Sequence, residues 1–499
     1  MNIAIAMPEI ALALAAMALM MVGAFHRKSK ADHPTGLMTV MHKDAAISPV
    51  HWLGELCLLA VLVLVALSAD LPRALGFHDT FIVDPFARYV KILILLSAVL
   101  CLIVSRPWLI AEKLVLFEYP ILVLFACIGM LVMVSANDLI MLYMGLELQS
   151  LSLYVLAAIQ RDRALASEAG LKYFVLGAVA SGLILFGCSY IYGFLGSTGF
   201  VQIADALSAQ PQGDEAGIVV GLVFLICGLA FKISAVPFHM WTPDVYQGAP
   251  TSVTAFFAVA PKIAALALFI RVVMGAFGDA PDLWHSVIVL ISIGSMMLGA
   301  LAALVQRNIK RLLAYSSIGH MGYALMGLAS GTVAGVQAIL IYLTVYIFMN
   351  IGVFALVMRM RRNGQAVEDI GDLAGLAKVR PLMALALLIL MFSMAGIPPL
   401  AGFFGKFYVF LAAIDAGLVM LAVIGVLSSV IAAVYYLRIV KIMYFDQPEE
   451  ESQSAFDECD DRRADMVIVL CVVVTVGFFL ISGVISDEAL IAAEALAAG

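Results

Sequence analysis

Long apolar stretches separated by short polar segments are the main pattern along this chain of 499 residues. A helix that crosses a bilayer needs about 20 mainly apolar residues. Counting such stretches predicts fourteen spans, near 3–24, 51–70, 82–104, 113–135, 138–159, 167–193, 217–240, 251–275, 284–305, 309–329, 333–358, 381–411, 417–443 and 465–485. The pattern predicts an all-α integral membrane protein, with one polytopic domain over 1–499 and no evident strands.

The distribution of basic residues predicts the orientation of these spans. Most Lys and Arg side chains lie in the loops that follow odd-numbered spans, whereas the loops after even-numbered spans hold Arg73 and little else. Because positive loops stay in the cytoplasm, we expect both termini on the periplasmic side of a bacterial inner membrane. The first apolar run contains Glu9 and has its basic cluster after it, so we expect it to remain as a transmembrane helix rather than a cleaved signal peptide.

Two of the spans contain prolines close to a lysine. Span 7 carries Lys232 followed by Pro237, and span 12 carries Pro398 and Pro399 followed by Lys406. Proline removes an amide donor and breaks a helix interior, and such a break in a membrane survives only inside protein or beside water. Spans five apart cross the membrane in opposite directions, and interrupted helices at matching places indicate an inverted repeat. We therefore expect broken helices at spans 7 and 12.

Four ionisable residues lie deep inside apolar spans: Glu147, Lys232, Lys262 and Lys406. A charge at that depth costs about 2.5–3.5 kcal/mol on insertion scales, so it is tolerated where it pairs or meets water. Two other interpretations exist: Glu147 as a protonated acid at a helix contact, and lysines that extend to the interface. The second fails for Lys262, which is about twelve residues from either end of its span. The four residues therefore predict an ion path.

Three further residues are candidates for a proton relay. His239 follows Lys232 by seven residues, and His320 lies near the start of span 10. For both, relay and a structural buried histidine remain alternatives. Lys172 lies beside Glu168 at the head of span 6, where extension to the interface is the simpler account and a relay role stays open.

Composition excludes several other classes of function. The chain is 64% hydrophobic and 13% charged, whereas soluble domains contain about 25% charged residues. Its seven cysteines are scattered without a CxxC pair, which disfavours a metal or disulfide framework. Neither a haem-like histidine pair nor a glycine-rich nucleotide fingerprint is present. We expect no cofactor, metal or nucleic acid bound to this chain, and a solvated linker without function at Gln447–Asp461.

The chain resembles the proton-pumping, antiporter-like membrane subunits of respiratory complex I, the NADH:quinone oxidoreductase. The matching stretches are FKISAVPFHMWTPDVYQGAPTSVTAFFAVAPK (231–262), NIKRLLAYSSIGHMGY (308–323) and AGIPPLAGFFGKFYVF (395–410). The resemblance covers essentially the whole chain. It is closest to the N type, because the M type usually has Glu at the position of Lys406 and the L type has a long lateral C-terminal helix.

The resemblance implies two inverted five-helix repeats, spans 4–8 within 111–275 and spans 9–13 within 281–443. Spans 1–3 within 1–110 precede them and a last helix at 465–485 follows. It also implies that Glu147 and Lys232 form a control pair, that Lys262 is central and that Lys406 is the exit-side site. The function implied is proton translocation as one subunit of a translocase, coupled to quinone reduction elsewhere in the complex.

The partners implied are other antiporter-like and small membrane-arm subunits and the lipid bilayer. FMN, iron–sulfur clusters and quinone are expected in the partner subunits. Two other functions remain open: a subunit of a cation/proton antiporter without redox drive, and a scaffold whose buried charges only hold helices together. Sodium-dependent proton exchange would favour the antiporter, and loss of assembly on mutation would favour the scaffold.

Overall fold

The computed structural model describes residues 3–31, 39–68, 73–209, 215–447, 456–457 and 461–497. Most of these residues are helical. The α-helices are Met7–Ala31 (α1), Thr39–Leu67 (α2), Pro85–Ala111 (α3), Glu118–Val134 (α4), Leu139–Ala157 (α5), Ala164–Leu195 (α6), Phe200–Ala209 (α7), Glu215–Lys232 (α8), Thr242–Gly248 (α9), Thr251–Arg271 (α10), His285–Leu304 (α11), Ile309–Ala329 (α12), Val333–Arg359 (α13), Leu376–Val379 (α14), Pro381–Ala395 (α15), Ala401–Asp415 (α16), Val419–Phe445 (α17) and Arg462–Ala497 (α18).

Ten helices in the described part of the chain are long and apolar enough to cross a membrane: α1, α2, α3, α5, α6, α10 with the π-helical turn Val272–Ala276, α11, α13, α17 and α18. The other four predicted spans correspond to the shorter α4, to α12, to α8 with the irregular segment after it, and to the interrupted segment α15–α16. The predicted all-α membrane class is confirmed.

Both predicted breaks are present, because the helices stop at the proline-containing segments. Helix α8 ends at Lys232, and the chain is irregular until α9; helix α15 ends at Ala395, and α16 begins at Ala401. Neighbouring side chains accept hydrogen bonds from the backbone amides that the breaks leave free, because backbone groups inside a membrane must find partners within the protein. Val236 donates its N–H to Ser295 Oγ at 2.9 Å, and Gly402 donates its N–H to Ser393 Oγ at 2.9 Å.

Three features of the fold differ from the sequence prediction. The last helix was expected at 465–485 but continues to Ala497, because its polar end is rich in alanine, the strongest helix former. Helix α7 was not predicted; it buries Phe200 and Ile203 and packs against Val272–Ala276. Two small antiparallel hairpins also occur in loops, formed by the strands Ala74–Gly76 (β1), Phe81–Val83 (β2), Arg361–Arg362 (β3) and Gln365–Ala366 (β4).

The linker Gln447–Asp461, expected to be solvated, is docked at two residues. Asp457 donates its N–H to Arg361 O and accepts from the N–H groups of Asn363 and Gly364, at 2.9, 3.0 and 2.7 Å. Phe456 is buried beneath the guanidinium of Arg362, 4.3 Å from its ring centroid. The expectation is therefore wrong at 456–457, and residues 448–455 and 458–460 lie outside the described part.

Helices α10 and α13 form the centre of the fold. Every residue of α10 is buried, and so are almost all residues of α13. Helix α10 contacts α3, α4 and α13, while α13 also packs against α16 and α18. A polar side chain on α10 or α13 is therefore surrounded by protein.

Candidate functional site

Lys232 is the last residue of α8, at the edge of the first break. Its Nζ donates to Ser150 Oγ at 2.8 Å and to Tyr154 OH at 3.4 Å, both on α5. The residue is 7% exposed. The carbonyl end of a helix carries a partial negative charge that favours a cation. The break therefore places this amine where an ammonium ion is stabilised without a direct carboxylate contact.

Glu147 lies one turn before Ser150 on α5 and acts on Lys232 at longer range. The side chain is half-buried, and its Oε1 is buried without a hydrogen-bond partner. Its charge contributes to the electrostatics of Lys232, yet among the described residues the two form no direct ion pair, and Ser150 is the group in contact with the amine. The carboxylate is thus an unbonded neighbour whose movement would alter the charge balance at Lys232.

Lys262 lies at the centre of α10 and is 1% exposed. Its Nζ donates to Ser317 Oγ at 2.5 Å and lies 5.3 Å from the centroid of the Tyr246 ring. Ser317 is hydrogen-bonded to Tyr346 OH at 2.7 Å, and Tyr346 OH donates to Ala258 O at 3.1 Å. The amine therefore begins a chain of hydroxyl groups from α12 and α13.

His320 lies one turn further along α12, in a second group of hydrogen-bonded side chains. Its Nδ1 is 2.5 Å from Tyr342 OH, and its Nε2 is 3.1 Å from Tyr436 OH. Tyr436 OH is also bonded to Ser316 Oγ at 2.5 Å. The His320 ring contacts the Tyr346 ring, with centroids 5.5 Å apart. Both ring nitrogens therefore have partners that can give or accept a proton.

Lys406 lies on α16, just after the second break, and is 5% exposed. Its Nζ donates to Met394 O at 3.2 Å, to Ala395 O at 3.1 Å and to Ser429 Oγ at 2.8 Å. The last carbonyls of a helix have no partner within the helix. Because α15 stops at the break, these carbonyls are free to bind the amine.

A small internal cavity lies between His320 and Lys406. Tyr323, Tyr435 and Tyr436 also line it, together with the other lining residues Met296, Ala300, Ser316, Gly319, Met394 and Ala432. Its volume is about 10 Å³, close to what one water needs. Polar groups on two sides make it a suitable place for a bridging water.

The polar groups fall into two parts. Lys262, Ser317, Tyr346, His320 and the cavity beside Lys406 form one series, in which Tyr346 and His320 are joined by a ring contact and the other neighbours by hydrogen bonds or the cavity. Aromatic rings instead connect the Lys232 region to α10: Tyr154 contacts Tyr173 at 4.8 Å, and Tyr173 contacts Phe257 at 5.6 Å, between ring centroids. No direct hydrogen bond between described side chains joins the Lys232 part to the Lys262 part.

His239 and Lys172 lie apart from this series. His239 is in the irregular segment after α8, so it does not share a helix face with Lys232. It is half-buried, and its Nδ1 has no hydrogen-bond partner. Lys172 Nζ is 2.7 Å from both Glu168 Oε1 and Asp244 Oδ2. Lys172 therefore belongs to a partly exposed ion-pair cluster.

Asp244 joins Lys172 to α12 in this cluster, because Arg311 Nη1 donates to its Oδ1 at 2.7 Å. Burial alone would raise the pKa of Asp244, but hydrogen bonds from Lys172 and Arg311 outweigh it and hold the pKa below its usual value. The carboxylate therefore stays ionised and keeps the cluster together.

Several buried charges escaped the sequence analysis. Lys310 has no exposed surface and pairs with Glu368, and the Arg271 guanidinium binds both oxygens of Asp84 at 2.8 and 2.9 Å. Lys310 lies in the first turn of α12 and Arg271 in the last turn of α10, where a sequence pattern cannot distinguish a loop charge from a buried one. Among the described residues, no group of three or more His, Cys, Asp and Glu could hold a metal.

Residues 136–432 match the family described as NADH:quinone oxidoreductase/Mrp antiporter, TM. Fold and buried amines together therefore define an antiporter-like membrane subunit. The chain is 57% identical to NADH-quinone oxidoreductase subunit N of Rhodospirillum rubrum, over 98% of this chain and 97% of that one. It is 51% identical to the subunit N of Paramagnetospirillum magneticum, over 98% and 97%. The chain belongs to the NADH-quinone oxidoreductase subunit N family.

Solved structures share this fold. A chain of respiratory complex I from Thermus thermophilus superposes with a TM-score of 0.78 at 32% identity, covering 96% of this chain and 99% of that one. A chain of the Mrp complex from Dietzia superposes with a TM-score of 0.81 at 21% identity, covering 99% and 98%. The second likeness concerns the fold alone.

Proposed function

We propose that this chain translocates protons as a membrane-arm subunit of an NADH:quinone oxidoreductase, with its buried amines as the proton-exchanging sites. The observation that carries the proposal is the series of exchangeable groups from Lys262 through His320 to the cavity beside Lys406. Ionisable groups inside a membrane protein mark ion paths by default. These groups lie inside protein, away from lipid.

Each group in the series has a definite task. The Lys262 ammonium releases a proton towards Ser317 and Tyr346, whose hydroxyls both donate and accept. His320 accepts on one ring nitrogen while it donates from the other. Lys406 receives the proton across the cavity and holds it against the carbonyls that end α15. The path needs no electron carrier, and the redox groups of the complex belong to partner subunits.

Glu147 and Lys232 supply the control. Two unit charges 4 Å apart interact by about 4 kcal/mol at an effective dielectric constant of 20. A proton that crosses a potential of 100 mV exchanges about 2.3 kcal/mol. When the unbonded Glu147 carboxylate moves towards or away from Lys232, their interaction energy therefore changes by an amount similar to that of a proton crossing the membrane. Such a change is large enough to alter the protonation of the lysine against a realistic potential.

The proposal includes the finer architecture: fourteen spans, with inverted repeats over 111–275 and 281–443, preceded by 1–110 and followed by the last helix. The order of the two breaks supports it. In the first repeat the lysine comes before the break, at Lys232; in the second it comes after the break, at Lys406. An inverted pair of half-helices would show this reversal.

The proposed location is a bacterial inner membrane with both termini in the periplasm. The asymmetric distribution of Lys and Arg supports this orientation. The proposed partners are the other antiporter-like and small membrane-arm subunits and the surrounding lipid. FMN, iron–sulfur clusters and quinone are assigned to the partner subunits.

Replacing the central amine tests this function. In inverted membrane vesicles that contain the whole complex, Lys262→Met should lower quinone-coupled NADH oxidation and proton pumping by at least about tenfold, as expected when an acid–base group is lost. NADH oxidation by a water-soluble artificial acceptor should stay within about twofold of wild type, since it bypasses the membrane arm. Lys441→Met is the matched control, because Lys441 is an exposed lysine paired with Asp446.

Full pumping by an assembled Lys262→Met complex would contradict the proposal. Sodium-dependent proton exchange in vesicles without NADH would assign the chain to cation exchange instead. Loss of assembled complex in Lys262→Met, with Lys262→Arg as active as wild type, would support a purely structural role.

A further inference from the structure

Lys310 is a buried charge that the path above does not use. It lies in the first turn of α12 and has no exposed surface. Its Nζ is 2.8 Å from Glu368 Oε1 and donates to Ala249 O at 3.2 Å. Ala249 directly follows α9, just before α10 begins at Thr251. The amine therefore lies at the common end of the two helices that carry Lys262 and Ser317.

Glu368 connects this buried amine to the surface. Its side chain is 19% exposed, and its second oxygen accepts from Asn308 Nδ2 at 3.1 Å. Arg163 also lies near, 3.9 Å from Glu368 Oε1. The Glu368 carbonyl accepts from Ile309 N at 2.8 Å, which fixes the loop to the start of α12. One carboxylate thus meets solvent and a fully buried ammonium at the same time.

Lys310 and the Lys262 site lie along one face of α12. Lys310 and Ser317 are seven residues apart, which is about two turns and about 10.5 Å along the axis. Ala314 lies between them on this face and is buried. Ser317 is the residue that binds the Lys262 amine. On this face, only the small side chain of Ala314 separates the Lys310 amine, which binds the partly exposed Glu368 carboxylate, from Ser317, which binds the central Lys262.

We propose that Glu368 and Lys310 form a proton-uptake relay that protonates Lys262 from the side of the membrane where the loops after odd-numbered spans lie. This proposal rests on the proposed function. Neutral Lys262 gains a proton that leaves the Lys310 ammonium and crosses the gap beside Ala314 through water. Glu368, protonated by bulk water, then returns Lys310 to its charged form. Each step transfers one proton, and the two steps together restore the starting ion pair.

The alternative is a mechanical role, in which Lys310 only ties the 367–370 loop to the end of α9. Arginine separates the two roles. A guanidinium can bind both the carboxylate and the carbonyl, so it would serve as a tie. It is not deprotonated in proteins, so it cannot pass a proton on. If the role of Lys310 is mechanical, Lys310→Arg should pump protons normally. If Lys310 transfers protons, Lys310→Arg should lose proton pumping.

The experiment compares Lys310→Arg, Lys310→Met and Glu368→Gln in the whole complex, in inverted membrane vesicles. We expect all three to keep wild-type NADH oxidation with the artificial acceptor. Proton pumping and quinone-coupled turnover should fall by at least about tenfold, with Arg as defective as Met. Lys441→Arg and Asp446→Asn are the matched controls, because they change an exposed ion pair of the same type, 3.3 Å apart; both should pump normally.

Pumping restored by Lys310→Arg, or normal pumping in Lys310→Met, would overturn the relay. Should Lys310→Arg not assemble, Glu368→Gln decides, because the amide has the same shape and its oxygen can still accept from Lys310, but it has no carboxyl proton to give. Normal pumping by Glu368→Gln would also overturn it. Proton pumping by Lys262→Met, measured in parallel, separates this proposal from the proposed function. If Lys262→Met is defective while the Lys310 and Glu368 variants pump normally, the uptake relay is wrong and the proposed function stands.

Discussion

At the residue scale, the buried ion pair between Asp84 and Arg271 is the clearest structural charge in the protein. The guanidinium binds both carboxylate oxygens and also donates from Nε to Val134 O at 3.1 Å. Asp84 is 1% exposed and Arg271 3%. Asp84 accepts the Ala87 N–H as well, so it caps α3. The pair joins the start of α3 to the end of α10, next to helix α4.

Removal of one partner should therefore be costly. Asp84→Asn leaves a buried guanidinium without a counter-charge, and the expected loss is about 3–5 kcal/mol. We expect less assembled complex and a lower midpoint for thermal release of this chain from the detergent-solubilised complex.

Asp205→Asn is the control for this prediction, since Asp205 is exposed on α7. The double variant Asp84→Asn/Arg271→Met should recover part of the loss, because it removes the unpaired charge. A thermal midpoint for Asp84→Asn equal to that of wild type would contradict the structural role.

At the scale of elements, the second break depends on a close approach between its two half-helices. A Cβ added at Gly402 would lie 1.8 Å from the carbonyl oxygen of Ser393. That oxygen belongs to the backbone of α15, so it cannot move aside like a flexible side chain. Glycine at 402 therefore allows α16 to begin beside the end of α15, which supplies the carbonyls that bind Lys406.

Gly402→Ala should therefore separate α16 from α15 and weaken the binding of Lys406. Overpacking of this kind costs about 1–3 kcal/mol. The measurement is proton pumping per assembled complex, which we expect to fall even where assembly survives.

Gly483→Ala serves as the matched control, since a Cβ there meets nothing within 4 Å and alanine favours the helix α18. Equal pumping by the Gly402→Ala and Gly483→Ala complexes would show that the close approach is dispensable.

At the scale of the whole molecule, the sequence predicted the all-α membrane class and the two breaks, because hydropathy and proline act locally. It also identified the buried lysines Lys232, Lys262 and Lys406, whereas Glu147 is half-buried. It could not predict that Ser317, Tyr346 and Tyr436 would meet between Lys262 and Lys406, since hydroxyl residues from three helices converge only after packing. It likewise missed Lys310, because burial at a helix end depends on which loop covers that end.

The complete burial of α10 determines how the protein responds to its lipid surroundings. A change in bilayer thickness acts first on helices that touch lipid, which adapt by tilting. Helix α10 has no such surface, so the strain reaches Lys262 only through the helices packed around α10, chiefly α3, α13 and α4. Lipids of different chain length should therefore disturb the outer helices α1, α6 and α17 well before they disturb the central lysine.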